Sequence, residues 1–270
     1  MSQGNPEAEM GFFEHVEVLR WHILRAALAL LIGAIVVGVN YAFFFNQILL
    51  GICSKDFPTY KIICKIGEWL SLREAICIER DIPLSLQNLA MFGQVTLLFQ
   101  YCLVFGFILA FPYILYELWR FVAPAMSAET QKKTSRIILV SSLFFLLGVF
   151  FCYFVIIPFS VQFAVDFSLS PKIQNQFTID SYIDFFTVML LGMGIVFEMP
   201  MIVYLLSRIG IVTAQSMRGF RRVAVLVILV VAAFITPSPD IFTQCLVALP
   251  LYVLFEISIL IAARNNRIAG

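Results

Sequence analysis

A chain of 270 residues with 61% hydrophobic and 13% charged side chains, and a mean hydropathy of +0.94, is not a soluble domain, in which charged residues run near a quarter of the total. Little sequence remains outside its apolar segments, so residues 1–270 are read as one multi-spanning membrane domain with no appended soluble part. The net charge of +1 says nothing about partners, whereas its distribution along the chain does.

Taken in order, Met1 to Met10 carries Glu7 and Glu9 and no basic cluster, unlike the n-region of a cleaved signal peptide, so the first apolar segment is expected to be retained. Apolar stretches at 23–45, 89–111, 137–157, 185–206, 223–235 and 241–263 predict an all-α protein of six transmembrane helices. The fifth and sixth are expected to be short. Residues 223–235 give about 20 Å of helix against a hydrocarbon core of about 30 Å. Counting back from the outer turn then places Glu256 near the inner surface. Of the eighteen basic residues, twelve, from Arg20 to Arg267, fall on the side that carries both termini. The six on the other side are diluted by acids, so both termini are expected in the cytoplasm.

The loop at 47–88 is then external and holds Cys53, Cys64 and Cys77. In an oxidising compartment these either form one disulfide and leave one thiol over, with three pairings open, or stay reduced. Cys102, Cys152 and Cys245 lie within helices, where cysteine is a small apolar filler. His15 and His22 are the only histidines and no spacing resembles a zinc site. Phosphate loops, nucleophile elbows and metalloprotease pairs are missing as well. No enzyme, metal or cofactor is expected.

Glu198 stands inside the apolar run 185–206. An ionised group near the bilayer centre costs at least ~3 kcal/mol, so it is kept where it faces water or a partner. Pro200 removes a helical hydrogen bond two residues on, and Gly192 and Gly194 lie close by, so bend and room are expected here. The two readings are a water-filled concavity facing a partner and a buried hydrogen-bonded acid.

Residues 111–126 read Phe-Pro-Tyr-Ile-Leu-Tyr-Glu-Leu-Trp-Arg-Phe-Val-Ala-Pro-Ala-Met. Pro112 is expected to break the second span and Pro124 to end a short helix after it. Tyr113, Tyr116, Trp119 and Phe121 form an interfacial aromatic belt. Further motifs follow in order. Glu14-His15-Val16-Glu17-Val18-Leu19-Arg20 precedes the first span, and Gly148-x-x-Phe151-x-Tyr153-Phe154-x-x-x-Pro158 marks the third. Gly194-x-x-Phe197-Glu198-x-Pro200 marks the fourth. Last come Arg221-Arg222, Thr236-Pro237-Ser238-Pro239-Asp240-x-Phe242-x-Gln244, Pro250-Leu251 and Phe255-Glu256.

Together these motifs resemble the TatC family of twin-arginine translocase subunits over nearly the whole chain. The resemblance implies a curved, glove-like bundle and a receptor in the bacterial cytoplasmic membrane. It implies binding of signal peptides that carry an arginine pair, export of folded cargo on the proton-motive force, and assembly with TatA- and TatB-like single-span subunits in a multimeric complex. Nucleic acid has no place in that picture. Arginine recognition needs carboxylates at the cytoplasmic face, because guanidinium prefers two-point contact, and Glu14, Glu17 and Glu129 are offered there, plus Glu117 in the aromatic helix, beside Arg20 and Phe121. Pro112, Pro124, Tyr153 and Pro158 are expected to be structural. Glu198, Pro200, Asp240 and Gln244 form the intramembrane polar or partner site.

The family's two arginine-binding glutamates are each displaced by one position. The first slot holds Val18, with Glu17 before it, and the second holds Thr130, with Glu129 before it. A one-residue step turns a side chain about 100° round a helix. Either the loops adjust around an altered pocket, or this chain relies less on charge. A secondary transporter and a structural scaffold are the other two readings. A transporter calls for an internal repeat, and the Pro-Ser-Pro-Asp turn and the Trp119 segment have no counterparts elsewhere in the chain.

Overall fold

In apolar surroundings a spanning segment must satisfy its own backbone donors and acceptors, which leaves helix as the solution for an unpaired segment. The computed structural model describes residues 12–69, 77, 81–122, 134–170, 172, 175–236 and 241–269, and they are mostly helical. Five stretches are long and apolar enough to cross a membrane: Val16–Val39, Gly93–Val122, Thr134–Asp166, Ile179–Arg208 and Thr243–Arg264. The remaining predicted segment is helix Arg221–Ile235, of 15 residues, which rises only about 22 Å.

The chain forms two compact units, residues 1–39 with 102–142 and residues 40–101 with 143–270. The first is built from helix α1, Phe12–Val39, and the greater part of α3, Gly93–Val122. They cross at Gly33 and Gly106. A Cβ on Gly106 would lie 2.5 Å from the Ala34 nitrogen, and one on Gly33 would lie 2.5 Å from the Gly106 carbonyl oxygen. Only two glycines allow backbones this close, the device by which apolar helices pack without a hydrophobic driving force. Beyond the crossing, α1 turns Trp21, Leu24, Leu28, Leu31 and Ile35 outward.

The second unit holds α2 (Pro58–Trp69), α4 (Thr134–Phe151, from residue 143 on), α5 (Ile157–Asp166), α6 (Ile179–Phe197) and α7 (Met199–Arg208). It is completed by α8 (Ala214–Gly219), α9 (Arg221–Ile235) and α10 (Ile241–Ala269). Gly148 of α4 receives the Met193 carbonyl and the Phe197 side chain of α6, and Gly194 of α6 receives the Phe145 ring. α10 packs along both α7 and α9. Gly210, at φ 78°, ends the α7 segment in the left-handed region where glycine carries no steric cost.

One end of this unit is tied by polar contacts around a π-helical stretch, Cys152–Ile156. Pro158 has no N–H for the Phe154 carbonyl four residues back, and the Thr59 hydroxyl donates to that carbonyl instead. The Tyr153 hydroxyl donates to the Ile48 carbonyl at 3.0 Å. Tyr182 donates to the Leu49 carbonyl at 2.6 Å, and Tyr60 to the Pro158 carbonyl at 3.5 Å. A two-residue parallel pairing, β1 (Leu86–Gln87) with β2 (Phe177–Thr178), joins the two loops. Cys64 is bonded to Cys77, which settles the open pairing and leaves Cys53 as a thiol. Burial pushes the Cys53 thiol above its ordinary range.

Two expectations are corrected. Pro112 does not break the second span, because α3 runs unbroken from Gly93 to Val122 with the proline inside. A proline costs one backbone bond and crowds one carbonyl, and a long apolar helix tolerates that. The last helix is not short either. It has 29 residues, with no glycine or strong breaker from Leu251 to its end at Ala269, so of the two spans expected to be short only α9 is.

Candidate functional site

The first polar constellation lies between α1 and the C-terminal half of α3. Glu117 is only 2% exposed, and a carboxylate so buried must be hydrogen-bonded or paired. His22, one helix face along from Leu19, puts Nδ1 2.5 Å from Glu117 Oε2, with the ring N–H donating. The Tyr113 hydroxyl, one turn before Glu117, also hydrogen-bonds the carboxylate. The Arg25 guanidinium stands 4.0 Å away and keeps its side chain 47% exposed. Phe121 meets the His22 ring edge-on at 6.1 Å. Glu117 is thus occupied inside the helix pair and is not offered to an incoming guanidinium.

Below this cluster the same two helix faces line a cavity of about 330 Å³. Ala26, Ala27 and Leu30 face it from α1, and Phe107, Ile114 and Leu118 from α3, with His22 and Glu117 among its lining. Small alanines at 26 and 27 leave the space that larger side chains would fill.

Of the other residues named for arginine recognition, Glu17 and Arg20 are exposed on the first turns of α1. Glu129 and Pro124 lie outside the described residues. Trp119 is buried at 6% exposure, which removes it from the expected interfacial belt. Leu115 and Trp119, one turn apart, both turn inward on α3, whereas Tyr113 and Tyr116 remain exposed with their rings 6.1 Å apart.

The second constellation surrounds Glu198, the residue between α6 and α7. Its N–H donates to the Ile195 carbonyl at 3.1 Å and its own carbonyl accepts from Met201 and Ile202 at 2.9 and 3.0 Å. The helix therefore tightens at Glu198 and restarts, with Pro200 buried in the first turn of α7. The helix is interrupted at the place where the sequence predicts a bend. The expected room around the glycines is absent: a Cβ on Gly194 would lie 2.5 Å from the Phe145 ring and one on Gly192 would lie 3.1 Å from the Ile235 side chain. These glycines serve close packing. Glu198 itself is half-buried.

Gln244, expected beside Glu198, donates from Nε2 to the Leu229 carbonyl at 3.0 Å and so ties α10 to α9. Asp240 lies outside the described residues. At the other end of the same pair, Arg221 donates to Glu256 Oε2 at 2.7 Å and Tyr252 to Oε1 at 3.3 Å. The sequence reading missed His22 and Arg25 as partners of Glu117. The available signal was that His22 and Arg25 are three apart and share an α1 face with Leu19.

Several apolar helices that carry polar clusters in their interior define a multi-pass membrane protein of the kind that moves or receives a polar partner. The sequence model of the Sec-independent protein translocase protein (TatC) family matches residues 14–250. A Sec-independent protein translocase protein TatC from Blattabacterium sp. subsp. Periplaneta americana (strain BPLAN) is 36% identical over 258 residues, which are 96% of this chain and 97% of the relative. That from Aquifex aeolicus (strain VF5) is 30% identical over 263 residues, 96% and 97% of the two chains. A crystal structure of the twin-arginine translocase receptor TatC matches with a TM-score of 0.72 at 29% identity, over 92% of this chain and 99% of that one. The chain belongs to the TatC family of Sec-independent protein translocase proteins. The name that its family and relatives carry, Sec-independent protein translocase, is that of a transport role.

Proposed function

We propose that this chain is the receptor subunit of a twin-arginine translocase. It sits in the bacterial cytoplasmic membrane as one domain of six spans, α9 included, with both termini in the cytoplasm. It holds the arginine pair of a signal peptide at the cytoplasmic face and passes folded cargo outward on the proton-motive force. TatA- and TatB-like single-span proteins complete a multimeric complex. The observation that carries this reading is the likeness along 92% of the chain to a solved twin-arginine translocase receptor. The basic residues Arg208, Arg218, Arg221 and Arg222, grouped around α8, support a cytoplasmic position for that end.

Within this reading Glu17 and Glu129 take the arginine-recognition role, since Glu117 is engaged with His22, and Phe121 and Arg20 border the site. Glu198, beside the Pro200 break, faces a hydrated concavity used by the partner or the cargo, and Asp240 and Gln244 belong to the same partner site. Charge-assisted contacts to arginine are worth about 1.5–3 kcal/mol, so Glu17→Gln or Glu129→Gln is expected to weaken binding several-fold or more. The test is photo-crosslinking of the detergent-purified protein to a twin-arginine signal peptide, with a Lys-Lys peptide as control. Wild-type capture of the native peptide by both variants, or equal capture of the two peptides, would overturn the assignment.

A further inference from the structure

The cavity between α1 and α3 is lined mostly by apolar side chains, and Glu17 is not among them. We propose that it is a binding site for one anionic phospholipid of the surrounding bilayer, an acyl chain lying in the groove and the headgroup phosphate on Arg25. The inference rests on reading the Arg25 end as the cytoplasmic face.

Three observations carry it. The groove is lined on α1 by Leu19, Ala26, Ala27 and Leu30, a stripe about 16 Å long at helical rise. In hydrocarbon the medium that fills such a stripe is an acyl chain. The groove carries one polar cluster, between Leu19 and Ala26 on α1 and between Ile114 and Phe121 on α3, where Glu117 is consumed by His22 at 2.5 Å while Arg25, outside the lining, stays 4.0 Å from that carboxylate and half-exposed. At that distance the guanidinium is oriented by the carboxylate but not hydrogen-bonded to it, so its fork of donors remains for a phosphate. The helix ends around the groove carry Arg20, Arg25 and Arg120 against Glu17 and Glu117. The exposed guanidinium of Arg25 beside an apolar groove suits an anionic headgroup, as basic pockets between spans do.

The test uses the full chain in detergent, titrated with dioleoyl phosphatidylglycerol or dioleoyl phosphatidylcholine and read by native mass spectrometry. Wild type is expected to prefer phosphatidylglycerol. Arg25→Gln should bind that lipid roughly tenfold more weakly and lose the preference, and Arg25→Lys should retain most of it. Ala27→Phe, which fills the groove, should lose both lipids while its circular dichroism stays unchanged. An undiminished preference in Arg25→Gln overturns the proposal. So does an Ala27→Phe protein that keeps its lipid yet fails to crosslink a twin-arginine peptide, which assigns the groove to the peptide. A failure of crosslinking in wild type would instead strike the receptor reading and leave the lipid result standing.

Discussion

Replacing His22 by leucine removes the hydrogen-bond partner of a carboxylate that is 2% exposed. Breaking a buried pair from one side costs about 3–5 kcal/mol, because a charge is left without compensation. Here the loss is smaller, since Tyr113 still donates to Glu117 and the Arg25 guanidinium at 4.0 Å has room to close. We therefore expect about 2–3 kcal/mol for His22→Leu. Glu117→Leu alone leaves a neutral imidazole and should cost less, while the double change to leucine, which puts apolar volume where the pair stood, should fall within about 1 kcal/mol of wild type. The resulting coupling, about 2 kcal/mol, is read from a double-mutant cycle on unfolding in detergent. Strictly additive singles would refute the pairing. The same logic assigns Glu117 a positioning role, so Glu117→Gln should crosslink a twin-arginine peptide as wild type does, in contrast with Glu17→Gln.

At the α1–α3 crossing, Gly106→Ala must push two backbones apart from a 2.5 Å approach, an overpacking cost of about 1–3 kcal/mol. Gly219→Ala, with nothing within 4 Å, should be silent in the same melting experiment, and equal behaviour of the two would discredit the crossing. Burial raises the Cys53 thiol, so less thiolate is present at a given pH than in an open thiol. Its alkylation by iodoacetamide should lag a cysteine peptide at neutral pH and accelerate as pH climbs, whereas a rate that matches the peptide throughout would contradict the half-buried placement. The 15 residues of α9 rise about 22 Å against a core of about 30 Å, which favours local thinning of the bilayer. Four leucines inserted after Val230 should preserve partner binding and reduce export, and full export by that protein would remove thinning from the mechanism.

The helices were legible because hydropathy reports on the solvent, and a run of apolar residues in 61% hydrophobic company leaves the backbone few alternatives to helix. What the pattern does not encode is where each polar group finds its partner. Glu117 reads in sequence as a carboxylate free to receive arginine, and His22, 95 positions away, takes it. Gly194 reads as open space, and Phe145 of another helix occupies it. Proline shows the same division most sharply. From sequence, Pro112 and Pro158 are equally helix breakers, yet α3 runs through one and a π-helical turn precedes the other. At Pro158 the carbonyl left without a donor belongs to Phe154, and the donor is Thr59 from another segment of the chain. An orphaned carbonyl in apolar surroundings costs several kcal/mol. A proline in a span therefore states that a donor must exist, and only the packing of distant segments says which residue supplies it.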